Sequence, residues 1–291
     1  MSTPLPRTPR TPRTPRTPRT PRATRSPRHT LAPTVAALAA ATALLLAGCG
    51  SSTPSADGTG QPGKSGASAA SLQGTVTVLA AASLTESFDQ LKKDFEAAHP
   101  GVTVETSYGS SATLVQQVDN GAPASVIALA GTAAAKPLDQ GMVKDTKTFA
   151  TNVLEIAVPP SNPGAVASIN DLAKPSVKVV LCADTVPCGK AAQATFAKAR
   201  IVPNVVSKEV DVKATLSKVK LAEADAAVVY HSDVVAAKDA VTGVEIPAQF
   251  NTSLSYPVIT LSDDTATQAF VAYLLSAEGL ATVQSFGFGA P

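Results

Sequence analysis

From residue 74 onward the sequence predicts an α/β fold with mostly parallel sheets. Strand-like and helix-like segments alternate along that whole stretch, the order that builds sheets covered by helices. The first segment, Thr75 to Leu79, is an apolar, β-branched run of the kind found in buried parallel strands. It then breaks at Ser83-Leu84-Thr85-Glu86 into a helix whose Leu84, Phe88, Leu91 and Phe95 recur at helical spacing, so a serine stands at a strand-to-helix junction.

The remaining elements follow in order. Val102 to Thr106 alternates like a strand after the Pro100-Gly101 turn, and Thr113 to Val118 reads as a helix. Ser125 to Leu129, Leu154 to Val158 and Val177 to Leu181 are short apolar strands, the second ended by Pro159-Pro160. Gln193 to Arg200 reads as a helix, and Val210-Asp211-Val212 leads into another at Lys213 to Val219. Ala226 to Tyr230 is a buried strand, followed by a helix from Ser232 to Lys238. Val244 to Pro247 and Tyr256 to Leu261 are strands. An amphipathic helix over Thr265 to Ser276, extended from Glu278 to Phe286, closes the chain.

Residues 1–30 form a basic leader in which eight arginines recur every third residue in an Arg-Thr-Pro pattern, too rich in proline for a helix. The apolar run Leu31 to Ala47 and the small-residue site Leu46-Ala47-Gly48-Cys49 follow, as in an export signal. That site resembles a bacterial lipobox, in which Cys49 is lipidated and becomes the new N-terminus, making residues 1–48 the signal peptide; an uncleaved single-pass anchor is the alternative. Residues 49–73, rich in Ser, Gly, Thr and Pro, then form a flexible tether. Loss of the eight leader arginines leaves 16 of the 24 basic residues against 22 acidic ones, a formal net charge of −6. With no basic run interleaved with aromatics, the folded part is not built for nucleic acid.

Two local features invite chemistry. In Ser83-Leu84-Thr85-Glu86 the serine and glutamate have the spacing of a capping box, and a helix N-terminus with a free hydroxyl can also hold an anion. Cys182 and Cys188 lie close together in a chain read as exported, which favours a disulfide. A metal site or a reactive thiol is the other reading of that pair, although a Cys-x5-Cys spacing is unusual for zinc and only His99 and His231 follow the leader.

Six segments, taken in order, are similar to the molybdate-binding proteins of ABC importers. They are Ala80-Ala81-Ala82-Ser83-Leu84-Thr85, Tyr108-Gly109-Ser110-Ser111-Ala112-Thr113-Leu114, Asn120-Gly121-Ala122-Pro123-Ala124, Val228-Val229-Tyr230-His231-Ser232-Asp233, Ser255-Tyr256-Pro257-Val258 and Ser285-Phe286-Gly287-Phe288. The resemblance spans residues 74–288 and implies a two-lobed type II periplasmic binding protein fold with the ligand cleft between the lobes. Residues 74–158 and 254–291 would form lobe one and 159–253 lobe two, with crossings near Leu154–Val158 and Tyr256–Leu261. It further implies that molybdate or tungstate is bound as an oxyanion, with no cofactor and no protein–metal bond. Ser83 and Ser111 would supply hydroxyl and backbone N–H groups, Cys188 and Val212 backbone N–H groups, and Tyr230 its phenol. The partners implied are an ABC permease and, through the lipid on Cys49, the outer face of the cytoplasmic membrane; the receptor would be a monomer.

A desolvated tetrahedral dianion needs many donors in fixed directions, and helix N-termini with hydroxyls supply them without a buried counter-charge. One departure stands out: Ser125 and Gly131 replace acids usual in the family, which bears on affinity and closure rather than on fold. Other readings are a receptor for sulfate or phosphate and a surface interaction module with a degenerate cleft. A hydrolase built on Ser111, His231 and Asp233 is disfavoured because no Gly-x-Ser-x-Gly elbow is present.

Overall fold

A computed structural model describes residues 71–291. Residues 1–70, which hold the stretches read as leader, export signal and tether and the expected lipidation residue Cys49, lie outside the described residues. Strand β1 (Gly74–Ala81) passes through a 3-10 turn (Ala82–Leu84) into helix α1 (Thr85–Ala98). There follow β2 (Val102–Gly109), α2 (Ser111–Asp119), β3 (Val126–Ala128) and the long β4 (Asp145–Val158). Then come β5 (Val179–Cys182), α3 (Pro187–Ala199), β6 (Val205–Glu209), α4 (Val212–Lys220), β7 (Ala226–Tyr230), α5 (His231–Ala237) and β8 (Thr242–Glu245). Strand β9 (Ser253–Thr260) and helices α6 (Thr265–Leu274) and α7 (Ala277–Ser285) end the chain.

The strands run in the order β2-β1-β3-β9-β4-β7-β5-β6, with β8 on β4. Two parallel sets, β2-β1-β3 and β6-β5-β7, are joined by antiparallel pairings at β4 and β9. Strand β4 changes partners along its length: Asp145 to Val153 pair with β9, and Leu154 to Val158 with β7 and β8. The result is the two-lobed α/β architecture with a cleft between the lobes. It places the carboxyl ends of β1 and β7, where ligands bind in open α/β sheets, toward one region.

Burial explains the elements. Val76 and Val78 of β1 are fully buried, as are Phe88, Leu91 and Phe95 of α1. Phe95 stacks edge-on against Phe270 of α6 at 5.3 Å, so the last helices close over the first.

Four details differ from the sequence reading. The Ser83–Glu86 capping box does not form: Ser83 lies inside the 3-10 turn, Leu84 precedes α1, and no side chain caps that helix. Strand β4 begins at Asp145, well before the apolar run at Leu154, because its first four residues are exposed and polar and are held by pairing to β9. Strand β6 is an unanticipated edge strand whose residues are half-buried or exposed. The closing helix is two helices, since Ser276 starts α7 by accepting a hydrogen bond from the Gly279 N–H. A Cβ on Gly279 would lie 2.2 Å from the Tyr273 carbonyl, so glycine permits that corner.

Candidate functional site

Five of the residues singled out in the sequence converge on one small cavity. Ser83, Ser111, Cys188, Val212 and Tyr230 all line it, with Ala81, Ala82, Gly109, Ser110, Ala130, Pro187 and Asp211 completing the wall. Its volume is about 20 Å³, where a single water takes about 10–15 Å³ on the same measure. The cavity therefore suits one small solute.

Local sequence explains how each wall is set. Ser111 opens α2, whose N-cap Ser110 accepts from the Thr113 N–H at 3.2 Å. Cys188 stands in the first turn of α3 behind Pro187, a residue suited to the first helical position. It is bonded to Cys182, the last residue of β5. A Cβ on Gly189 would lie 2.0 Å from the Ala183 carbonyl oxygen, so glycine allows this turn of α3 to sit against the strand end. Val212 opens α4, and Asp211 caps it by accepting from the Ala214 N–H at 2.9 Å. Tyr230 ends β7 just before α5. The starts of α2, α3 and α4 thus meet the cavity, each carrying free N–H groups and the positive end of a helix dipole.

The hydroxyls are oriented by their neighbours. Ser111 Oγ accepts the Ala130 N–H at 2.9 Å, which leaves its own proton for the cavity. The Tyr256 hydroxyl lies 3.0 Å from Ser83 Oγ. Tyr230 Oη is fully buried with no hydrogen-bond partner among the described residues, an orphan that an enclosed acceptor would satisfy. Burial pushes the phenols of both Tyr230 and Tyr256 above the ordinary value, so both stay protonated donors. Among the described residues, no lysine, arginine or histidine lines the cavity, and its one acid, Asp211, serves as a helix cap.

A second space adjoins the first, sharing Ala130 and Pro187 with it. This groove, about 530 Å³, runs between α2 and α3 and is walled by small residues, Leu254 and Lys190. Ser125 and Gly131, the two positions without the expected acids, have backbone roles, and only Gly131 lines the groove. Ser125 Oγ accepts from the Thr77 N–H at 3.3 Å. Gly131 lines the groove with φ +84°, a left-handed conformation that glycine adopts without strain.

The residues considered for a hydrolase do not assemble into a triad. His231 Nδ1 lies 2.6 Å from Glu155 Oε2, while Asp233 accepts the Tyr230 N–H and pairs with Lys213. Tyr256, Asn152 and Lys213 are neighbours of the cavity that the sequence did not single out as site residues. Tyr256 stands in one of the quoted segments, and that was the only available signal for it.

A profile of the bacterial extracellular solute-binding proteins matches residues 76–289. The chain belongs to that family. Family members of this kind are substrate-binding receptors, not enzymes. Among its relatives, a protein of Mycobacterium tuberculosis named molybdate-binding protein ModA is 34% identical over 260 residues, covering 86% of this chain and 96% of the relative. A Bacillus subtilis protein named putative ABC transporter substrate-binding lipoprotein YvgL is 30% identical over 264 residues, covering 87% and 96%. The solved structure of the Azotobacter vinelandii periplasmic molybdate-binding protein superposes with a TM-score of 0.67 at 21% identity, covering 74% of this chain and 99% of that one, and shares the fold.

Proposed function

We propose that this chain is an extracytoplasmic receptor that captures molybdate, and tungstate, for delivery to an ABC importer, and that the lipid on Cys49 tethers it to the membrane. The observation that carries the reading is Tyr230, whose buried hydroxyl has no hydrogen-bond partner among the described residues, in the wall of a cavity also lined by Ser83, Ser111 and helix N-termini. An oxyanion would accept from Ser83, Ser111 and Tyr230 and from the backbone N–H groups at Cys188 and Val212. The donor set is neutral and rich in hydrogens, which suits a fully ionised dianion better than a protonated one needing an acceptor. The names of the relatives at 34% and 30% identity supply the anion and the lipid anchor.

Calorimetric titration of the purified protein with molybdate, tungstate, sulfate and phosphate tests this. Binding of molybdate and tungstate, unaffected by excess sulfate, is the expected result. Binding of sulfate or phosphate alone would keep the oxyanion site and replace the substrate. Binding of none would remove the receptor reading in favour of an interaction module.

A further inference from the structure

Three charges lie directly behind the cavity. Lys213 Nζ is 2.7 Å from Glu86 Oε2 and 2.9 Å from Asp233 Oδ1. Asp233 is fully buried, and the Lys213 side chain is only 24% exposed. Burial alone would lower the lysine, but the two carboxylates outweigh it and hold the ammonium above its ordinary value. A buried carboxylate without a cation is costly, so the Lys213–Asp233 pair is a fixed part of its surroundings.

Each member of the triad is tied to a different cavity wall. Glu86 is in the first turn of α1, just beyond Ser83; Lys213 directly follows Val212; Asp233 accepts the Tyr230 N–H through its second oxygen at 3.1 Å. Lys213 stands on α4, which packs on β5, β6 and β7, and Asp233 on α5, which packs on β4, β7 and β8. Glu86 stands on α1, which packs on β1 and β2. The Lys213–Asp233 pair therefore lies within one lobe, and the Lys213–Glu86 bond crosses to the other.

We propose that Glu86 and Lys213 form a latch across the cleft. Glu86 is a positioning residue: it touches no ligand, but its charge holds the Ser83 wall against the Val212 and Tyr230 walls and so sets how fast a captured anion leaves. Its side chain is 39% exposed, so the latch weakens with ionic strength, and the more buried Lys213–Asp233 pair weakens much less.

The test is Glu86→Gln, which keeps the shape and removes the charge, with molybdate as probe and release followed by stopped flow. The affinity arm rests on the oxyanion reading above. A partly exposed ion pair is expected to change the release rate by about two- to fivefold. Faster release at unchanged association rate, with the salt dependence of release lost, supports the latch. Lys213→Met also strips Asp233 of its cation and is expected to destabilise the fold. In that background Glu86→Gln should change nothing further in release. An unchanged release rate in Glu86→Gln overturns the proposal, even where the melting temperature falls. Small-angle scattering of ligand-free protein gives an arm independent of the anion: the variant should have a larger radius of gyration than the parent. If the parent binds no molybdate, the oxyanion reading fails, and the latch stands or falls on that radius alone.

Discussion

The Tyr256 hydroxyl sits between Ser83 Oγ, at 3.0 Å, and the Asn152 side-chain nitrogen, at 3.5 Å. An amide nitrogen only donates, so Asn152 gives a proton to Tyr256, while the Ser83–Tyr256 bond can run in either sense. When an anion in the cavity takes the Ser83 proton, Tyr256 donates to Ser83 Oγ and the three groups align. Replacing Asn152 with Asp breaks that alignment, because a carboxylate takes the Tyr256 proton and leaves the phenol oxygen free to accept from Ser83. Ser83 would present lone pairs to the anion. The expected result is a rise in the molybdate dissociation constant of about 10- to 100-fold, the worth of one hydrogen bond to a charged group. Asn152→Asp protein that titrates like the parent would contradict that alignment.

Ser111 offers a simpler deletion. Its Oγ accepts the Ala130 N–H, so Ser111→Ala removes one ligand donor and leaves one buried N–H unpaired. Stability should fall by about 1–3 kcal/mol. Affinity should fall by at least tenfold, about 1.4 kcal/mol. Denaturant unfolding and calorimetry on the same sample separate the two effects.

The disulfide between Cys182 and Cys188 closes a short loop across the start of α3. By chain entropy such a loop contributes about 2 kcal/mol. The Cys182→Ala, Cys188→Ala double variant is expected to unfold at a lower denaturant midpoint by that amount. It is also expected to bind molybdate more weakly, because the Cys188 N–H loses its anchor. A variant equal to the parent in both would assign the bond no role in the site.

Alkaline pH probes the buried phenols. Tyr230 and Tyr256 have folded-state values raised above the unfolded one by burial. At high pH the unfolded chain therefore sheds protons that the folded chain keeps. Their contribution to stability is whole below an unfolded phenol value near about 10 and is lost as pH rises beyond it. Unfolding free energy measured between pH 8 and pH 11 (on the order of that range) should decline at the upper end. Tyr256→Phe should decline less steeply.

Much of this was legible in the residues, and the gaps have physical causes. Apolar runs such as Ala226 to Tyr230 carry their own signal because both faces are buried. Strand β6 does not, since an edge strand with Val206 half exposed is fixed by pairing to β5. Ser83 was recognisable as a junction residue, but its partner Tyr256 is 173 positions away and no local pattern joins them. The spacing of Ser83 and Glu86 fits a capping box, yet Lys213, 127 positions on, takes the carboxylate. Local rules lose where a long-range partner offers a stronger bond.

The central claim is that an oxyanion occupies the cavity among Ser83, Ser111 and Tyr230. Anomalous diffraction at the molybdenum edge, from crystals grown with molybdate, tests it most directly. The account predicts one strong peak in that cavity, with an anion oxygen at hydrogen-bonding distance, about 2.6–3.2 Å, from Tyr230 Oη. A peak beside Lys190 in the neighbouring groove, or no peak in the cavity, would contradict it.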